Sequence, residues 1–138
     1  MNRLSTTLES KIGMVLESYT FKVESGKIKE LALAIGDLKE EYINGEKLLP
    51  TFATVIDFWG GGKSTSELLG LNVKKVLHGE QEYEYLGKIE PGDTVTVKGI
   101  VENAYTKASM NFVVLKKEFF NEKNELVLMA RSTIIERH

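Results

Sequence analysis

Histidine and cysteine, which often serve as general bases, nucleophiles and metal ligands, are scarce in this sequence. The 138-residue chain contains two histidines, His78 and His138, and no cysteine. Thiolate catalysis, disulfides and cysteine-ligated metals are therefore excluded, and a multi-histidine metal site is not expected. His78 lies in His78-Gly79-Glu80-Gln81, where an imidazole adjoins a carboxylate and a flexible backbone. Since no nucleophile or metal cluster accompanies it, nucleophilic catalysis has no support, and we expect no metal and no cofactor.

Two aspartates have unusual neighbours. Asp37 follows Gly36 at the expected end of a helix and begins a charged loop over residues 37–49. Asp57 is the one charge in the apolar segment Pro50–Trp59. We expect Asp57 to lie in the last turn of a helix and to face water. The alternative is that it lines a pocket or a subunit interface.

The segment Gly60-Gly61-Gly62-Lys63-Ser64-Thr65 superficially matches a phosphate-binding loop. That motif requires a further glycine where this chain has Asp57, and it requires a strand before the loop and a helix after it. Here the expected order is a helix and then a loop. We therefore interpret the glycines as a helix stop followed by a flexible loop.

The segment Pro50–Trp59 is the element around which we expect the rest of the chain to fold. Proline suits the first position of a helix, and the glycines that follow would end it. The six apolar side chains point in all directions around a period of 3.6 residues, which indicates a buried helix; they are Phe52, Ala53, Val55, Ile56, Phe58 and Trp59. A buried strand is the alternative, because such residues also favour strands.

The remaining pattern predicts one more helix and an antiparallel sheet. Residues Tyr19–Val23 alternate as a half-buried strand does, and Ser25 is expected to cap a helix over Gly26–Ile35 that Gly36 ends. Four strands then follow at hairpin spacing; they are Leu77–Leu86, the strand containing Val95, Val97 and Val101, Phe112–Phe120 and Leu126–Ile135. In the first of these, His78, Glu80, Glu82 and Glu84 are expected on the wetter face. We predict a single α+β domain over residues 1–138, with the sheet wrapped around the buried helix.

The composition of the chain argues against several classes of protein, among them nucleic-acid-binding and membrane-spanning proteins. Hydrophobic residues make up 42% of the chain and its formal net charge is −2, as in an ordinary globular protein. No basic excess favours nucleic acid as a partner, and no apolar run approaches the roughly 20 residues of a membrane span. The first residues lack the apolar core of a signal peptide. We expect no membrane association and a cytoplasmic location.

Four short segments, in this order, resemble the MaoC-like hydratase/dehydratase family, and most closely its N-terminal, dehydratase-like branch. They are Ala34-Ile35-Gly36-Asp37, Leu49-Pro50-Thr51-Phe52, Leu77-His78-Gly79-Glu80-Gln81 and Pro91-Gly92-Asp93. The resemblance extends from about Ile12 to Ile135. It implies the hot-dog fold, in which an antiparallel sheet wraps a central helix, and activity on 3-hydroxyacyl or enoyl thioesters.

The resemblance also implies a site, and this chain departs from it. Active members carry Gly-Asp-x-Asn-Pro-(aliphatic)-His, in which the Asp–His pair activates water, while amides at the start of the central helix polarise the thioester carbonyl. Gly36 and Asp37 match this motif, but Tyr42 occupies the histidine position. A phenol is a poor base near neutral pH compared with an imidazole. The three intervening positions differ as well, with Lys39, Glu40 and Glu41 in place of Asn, Pro and the aliphatic residue.

The implied substrate contacts are at Thr51, Phe52, Trp59 and His78. Because Pro50 has no N–H, Thr51 and Phe52 would have to supply any contact to an oxyanion. The expected function is an accessory, acyl-binding subunit of a 3-hydroxyacyl-thioester dehydratase in fatty-acid metabolism.

The expected ligand is an acyl-CoA or acyl-carrier-protein thioester, and the expected partner is a second hot-dog subunit in a homodimer or heterodimer. We expect the long strands Phe112–Phe120 and Leu126–Ile135 to extend the sheet across the two protomers. The alternatives are a stand-alone hydratase, dehydratase or thioesterase with an atypical site, and a non-enzymatic acyl-CoA-binding homodimer.

Overall fold

A computed structural model describes residues 8–59 and 69–137, without the side chains of Phe58, Trp59 and Val73. The glycine-rich segment that resembles a phosphate-binding loop lies outside these residues. The strands form one antiparallel sheet in the order β1-β3-β4-β5-β2. Their bounds are β1 Tyr19–Lys22, β2 Val76–Tyr85, β3 Thr94–Lys107, β4 Met110–Phe120 and β5 Leu126–Arg137. The predicted antiparallel sheet is therefore confirmed.

Three α-helices lie between β1 and β2 in the described sequence, together with a 3₁₀ turn. They are α1 Ser25–Ile35, α2 Glu40–Ile43 and α3 Phe52–Trp59, and the turn is Val73–Lys75. The longest, α1, has 11 residues, well below the roughly 20 needed to cross a bilayer. The sequence did not predict α2, which interrupts the expected loop.

Helix α1 ends as predicted but begins differently. Gly36 adopts a left-handed backbone with φ of 75°, a conformation that glycine reaches without steric cost. Ser25 is not the cap: it is already helical, and Glu24 precedes the helix in an extended conformation with no side-chain capping bond. The start of α1 is instead held by packing, since Ile28 and Ala32 are fully buried.

Helix α3 is the buried central element. It begins at Phe52, and Pro50 and Thr51 form the turn before it. Phe52, Ala53 and Ile56 are buried, and the ring of Phe52 meets that of Phe21 edge to face at a centroid distance of 6.3 Å. Burial of this face against the sheet supplies the main driving force for the arrangement. The prediction of a central buried helix is confirmed.

Strands β4 and β5 lie in the interior of the sheet. Each has a hydrogen-bonded neighbour on both sides, so neither can pair with a strand of another protomer. The expectation that Phe112–Phe120 and Leu126–Ile135 extend the sheet is therefore wrong. Among residues 8–59 and 69–137 the edges are β1 and β2, because the chain crosses over between β2 and β3 instead of continuing as a simple meander.

A β-bulge near the start of β2 changes which side chains share a face. The register with β5 shifts between His78 and Glu80, so one extra residue stands in this strand. His78 pairs with the buried Ile134 and lies on the face that carries Gln81 and Tyr83. The predicted grouping of His78 with the glutamates Glu80, Glu82 and Glu84 is therefore wrong.

Candidate functional site

Asp37 lies immediately after the end of α1 and is partly buried. Its N–H donates to the Ala32 carbonyl at 3.0 Å, which completes the helix end. Its carboxylate accepts the Lys39 N–H through a long contact of 3.4 Å. The carboxylate therefore belongs to a turn that leads into α2, and it retains lone pairs for other donors.

Tyr42, at the position of the family histidine, is a core residue. It lies on α2 and is 7% exposed, within the hydrophobic cluster that also contains Leu49 and Phe52. Lys39 Nζ lies 5.7 Å from the centre of its ring. A side chain packed in this way supports the fold of the loop.

Polar atoms at the start of α3 form hydrogen bonds with other groups of the chain. The Phe52 N–H donates to the Leu49 carbonyl at 2.9 Å, so it is not available for a thioester oxygen. The Tyr85 hydroxyl donates to the Pro50 carbonyl. Burial raises the pKa of Tyr85, and a hydrogen bond from the Ala53 N–H opposes that rise. The phenolic oxygen of Tyr85 thus occupies the place at which a helix start would attract a ligand oxygen.

The other predicted substrate contacts are not gathered in one place. Thr51 is exposed beside the start of α3, whereas Phe52 is wholly buried. The side chain of Trp59 lies outside the described part of the structure. His78 is exposed near the beginning of β2, and Tyr85 lies seven positions further along the strand, which corresponds to roughly 20 Å. The structure therefore places His78 and Thr51 at opposite ends of the contact between β2 and α3.

The strongest polar feature of the described interior is centred on Asp57. Its side chain is 3% exposed, and its Oδ1 lies 2.5 Å from Nζ of Lys117, whose side chain is 10% exposed. The expectation that Asp57 faces water is wrong, because its position on α3 turns it toward β4. The alternating burial along β4 places Lys117 on the same face as Leu115 and Phe119, so the two charges meet between helix and sheet.

The edge strand β2 completes the coordination of this carboxylate. Asp57 Oδ2 accepts the Tyr83 hydroxyl at 3.1 Å and the Gln81 side-chain amide at 3.4 Å. The Tyr19 hydroxyl donates to the carbonyl of Ile56 at 2.8 Å. Burial, reinforced by the Asp57 charge, raises the pKa of both Tyr19 and Tyr83. These residues, which we call the Asp57 network, connect α3 to β1, β2 and β4.

Sequence reasoning missed this network, although two signals pointed to it. Asp57 is the one charge in an otherwise apolar helix, and Lys117 is the one cation on the inward positions of β4. A buried charge requires a partner, so the two signals taken together would have suggested the pair. In the described residues, no group of three or more carboxylates and histidines is arranged to hold a metal ion.

Comparison with known proteins identifies the family. The family described as "FAS1-like, dehydratase domain region" matches residues 10–130. A UPF0336 protein of Streptomyces avermitilis is 30% identical over 128 residues, which cover 85% of this chain and 85% of the relative. A UPF0336 protein of Streptomyces griseus is 28% identical with the same coverage.

Solved structures share the fold. A MaoC-like dehydratase from Rhodospirillum rubrum has a TM-score of 0.69 at 18% identity and covers 92% of each chain. The HadBC (3R-hydroxyacyl-ACP dehydratase) complex from Mycobacterium tuberculosis has a TM-score of 0.71 at 18% identity, with 91% of this chain and 96% of that chain covered. The ChsH1–ChsH2 complex from the same organism has a TM-score of 0.65 at 15% identity, with 91% and 98% covered. The chain has the hot-dog fold of the MaoC-like dehydratases and belongs to the family of FAS1-like dehydratase domains.

Proposed function

We propose that this chain is the accessory, acyl-binding subunit of a two-subunit 3-hydroxyacyl-thioester dehydratase, and that a second hot-dog subunit supplies the catalytic Asp–His pair. Its ligand is an acyl-CoA or acyl-carrier-protein thioester of fatty-acid metabolism. The observation that carries the proposal is the burial of Tyr42, which is 7% exposed in the core. The position that should hold the general base is thus occupied by a phenol that is packed in the core and is a poor base near neutral pH.

The start of α3 supports the same conclusion. In a catalytic protomer, free amides at this helix start would stabilise negative charge on the thioester oxygen. Here the Phe52 N–H is bonded to Leu49, and the Tyr85 hydroxyl bonds to the Pro50 carbonyl. The residue at the position of the expected base therefore packs in the core, and one amide of the expected oxyanion site is bonded within the chain.

Exposed apolar residues close to Asp37 in the sequence support a role in binding. Leu33, Ile35 and Leu38 are 64%, 55% and 66% exposed, and they flank Asp37 at the end of α1. Large apolar side chains left exposed on a single protomer can be covered by a ligand or a second subunit. We propose that the acyl chain or the catalytic subunit covers them. The solved HadBC and ChsH1–ChsH2 structures are complexes, which supports an assembly of two different hot-dog chains.

The test is a hydration assay with crotonyl-CoA and with a longer enoyl-CoA. The reaction is monitored by the loss of enoyl absorbance. The chain alone should show no rate above the uncatalysed background, because general-base catalysis typically contributes ~10²–10⁴-fold. Addition of a hot-dog subunit that carries an intact Asp–His pair, encoded in the same genome, should restore turnover. Tyr42→His should restore little, because the new imidazole would be buried where Tyr42 is.

The matched control is Asp37→Asn, which removes a charge without changing size. In an accessory subunit it should alter stability or binding more than the turnover of the mixed assembly. Rapid hydration by the wild-type chain alone, abolished by Asp37→Asn, would refute the accessory role and favour a stand-alone enzyme.

A further inference from the structure

The buried apolar side chains on the inner face of the sheet form two separate clusters. The near cluster surrounds α3 and includes Phe52 and, on the sheet, Phe119. The far cluster lies further along the same face and includes Val101 and Leu115. On β4, Lys117 stands between Phe119 and Leu115 at successive inward positions. The Asp57 network, to which Lys117 belongs, therefore separates the near cluster from the far cluster.

The neighbouring strands leave space for the side chain of Lys117. Its partner on β3 is Gly99 and its partner on β5 is Ala130. A Cβ atom added to Gly99 would lie 3.4 Å from Cγ of Lys117 and 3.1 Å from Cδ1 of Leu16, so a larger residue at position 99 would crowd the lysine stem. Small residues on both sides thus allow a long cationic side chain to lie inside the protein at this level of the sheet.

The hydrogen bonds of the Asp57 network are made within the protein. Asp57 accepts from Lys117, Tyr83 and Gln81. Across the described parts of the chain, no fully buried side-chain N or O atom lacks a hydrogen-bond partner. An apolar ligand that entered here would replace none of these bonds, and it would leave a buried charge without its partner, which is costly. The network is therefore a barrier to an apolar ligand.

The barrier lies a short distance from the start of α3. Tyr85 bonds to the Pro50 carbonyl at that start, and Tyr83, two residues earlier on β2, bonds to Asp57. Helix α3 therefore runs beside β2 from its start to the Asp57 network. The five residues from Phe52 to Asp57 span about 7.5 Å along the helix axis. An extended alkyl chain covers that distance with roughly six carbons, because its C–C bonds of about 1.5 Å follow a zigzag.

We propose that the ion pair of Asp57 and Lys117 limits the length of the acyl group that this protein accepts. The ligand is then a short-chain acyl thioester of about six carbons or fewer. The inference rests on the proposed function, since it takes the thioester to lie beside the start of α3 with its acyl group directed along the helix. A longer acyl group would have to separate the ion pair before it reached the apolar side chains of the far cluster.

The experiment compares the binding of CoA, hexanoyl-CoA and dodecanoyl-CoA to the full chain by isothermal titration calorimetry. Each further CH₂ group that becomes buried should tighten binding by about fourfold. For wild type we expect hexanoyl-CoA to bind more tightly than CoA, and dodecanoyl-CoA to bind within about threefold of hexanoyl-CoA, because the additional carbons find no apolar site. Asp57→Ala/Lys117→Ala should bind dodecanoyl-CoA at least tenfold more tightly than wild type does, with hexanoyl-CoA changed by less than about threefold.

The matched control is Leu115→Ala, which creates space in the far cluster and leaves the ion pair in place. It should bind both acyl-CoAs as wild type does, and an equal gain for dodecanoyl-CoA in this control would overturn the proposal. Asp57→Val/Lys117→Met removes both charges with little change in volume, so it provides a second test should the alanine variant fail to fold. It should also bind dodecanoyl-CoA more tightly than wild type. A folded double variant that keeps the wild-type affinity for dodecanoyl-CoA would overturn the proposal.

Failure of this proposal is distinguishable from failure of the proposed function. Wild type that binds dodecanoyl-CoA at least tenfold more tightly than hexanoyl-CoA would refute the length limit and leave the acyl-binding role intact. If neither acyl-CoA binds more tightly than CoA, the acyl-binding role is refuted, and the length limit with it. Hydration by the chain alone would refute the accessory role, while the binding profile would still decide the length limit.

Discussion

Asp57 and Lys117 form an ion pair between the central helix and the middle of the sheet, with Oδ1 and Nζ 2.5 Å apart. A buried ion pair is not by itself a sign of high stability, because removing both charges from water costs about as much as their attraction returns. What such a pair does provide is a defined arrangement: α3 is oriented by bonds to β4 and, through Tyr83 and Gln81, to β2.

Removal of one partner of the pair should be costly. Lys117→Met leaves the Asp57 carboxylate buried without its cation, so we expect a loss of about 3–5 kcal/mol in the free energy of unfolding. The double variant Asp57→Val/Lys117→Met should recover most of this loss, because no buried charge remains. Urea unfolding followed by circular dichroism measures both. The exposed pair of Glu102 and Arg131 serves as the control, since Glu102→Gln should barely move the unfolding midpoint. If Lys117→Met were as stable as wild type, the Asp57 carboxylate would have to be solvated.

Stability should fall at alkaline pH in a way that depends on two half-buried phenols, those of Tyr19 and Tyr83. The pKa values of Tyr19 and Tyr83 are raised in the folded chain, so the folded state favours their neutral forms. Their contribution is fully present below the unfolded pKa of about 10, and it decreases as the pH rises above that value.

Urea midpoints measured from pH 8 to pH 11 check this expectation. Tyr83→Phe should give a shallower alkaline decline than wild type, because the variant has one fewer group to ionise on unfolding. Tyr19→Phe should do the same, and the double variant should be shallower still. A decline of identical slope in all four proteins would contradict the assignment.

Tyr42 should behave as a core residue. Tyr42→Ala removes a buried ring and should cost roughly 3–5 kcal/mol, whereas Tyr42→Phe keeps the ring and should cost much less. Chemical unfolding of the two variants measures the difference. If Tyr42→Ala were as stable as wild type, Tyr42 would not be packed, and the burial argument for the accessory role would fail.

Phe52 should be among the most sensitive positions of the central helix. It is 0% exposed and contacts Phe21, so Phe52→Ala should cost about 3–5 kcal/mol. Leu33→Ala on α1 is the control, because Leu33 is 64% exposed and its truncation should change the unfolding free energy by less than about 0.5 kcal/mol. Similar losses at the two positions would mean that α3 is not the buried element.

Local sequence was sufficient for the elements whose pattern is strong. The apolar run from Phe52 onward favoured a buried helix over the alternative of a buried strand, and Gly36 predicted the end of α1 because a left-handed residue is needed there. The alternation of apolar and polar residues in the segments between turns predicted the strands from β2 to β5. The replacement of the family histidine by Tyr42 is also visible in the sequence alone.

Other features were decided by contacts between residues distant in the chain. The pairing of Asp57 with Lys117 joins positions 60 residues apart, and only the placement of α3 against β4 brings them together. The bulge in β2 is a matter of register with β5, so alternation alone assigned His78 to the wrong face. The strand order made β2 an edge and enclosed β4 and β5. Sequence periodicity describes which side of an element is apolar, whereas the partner of each polar group and each strand edge is fixed by how the elements pack.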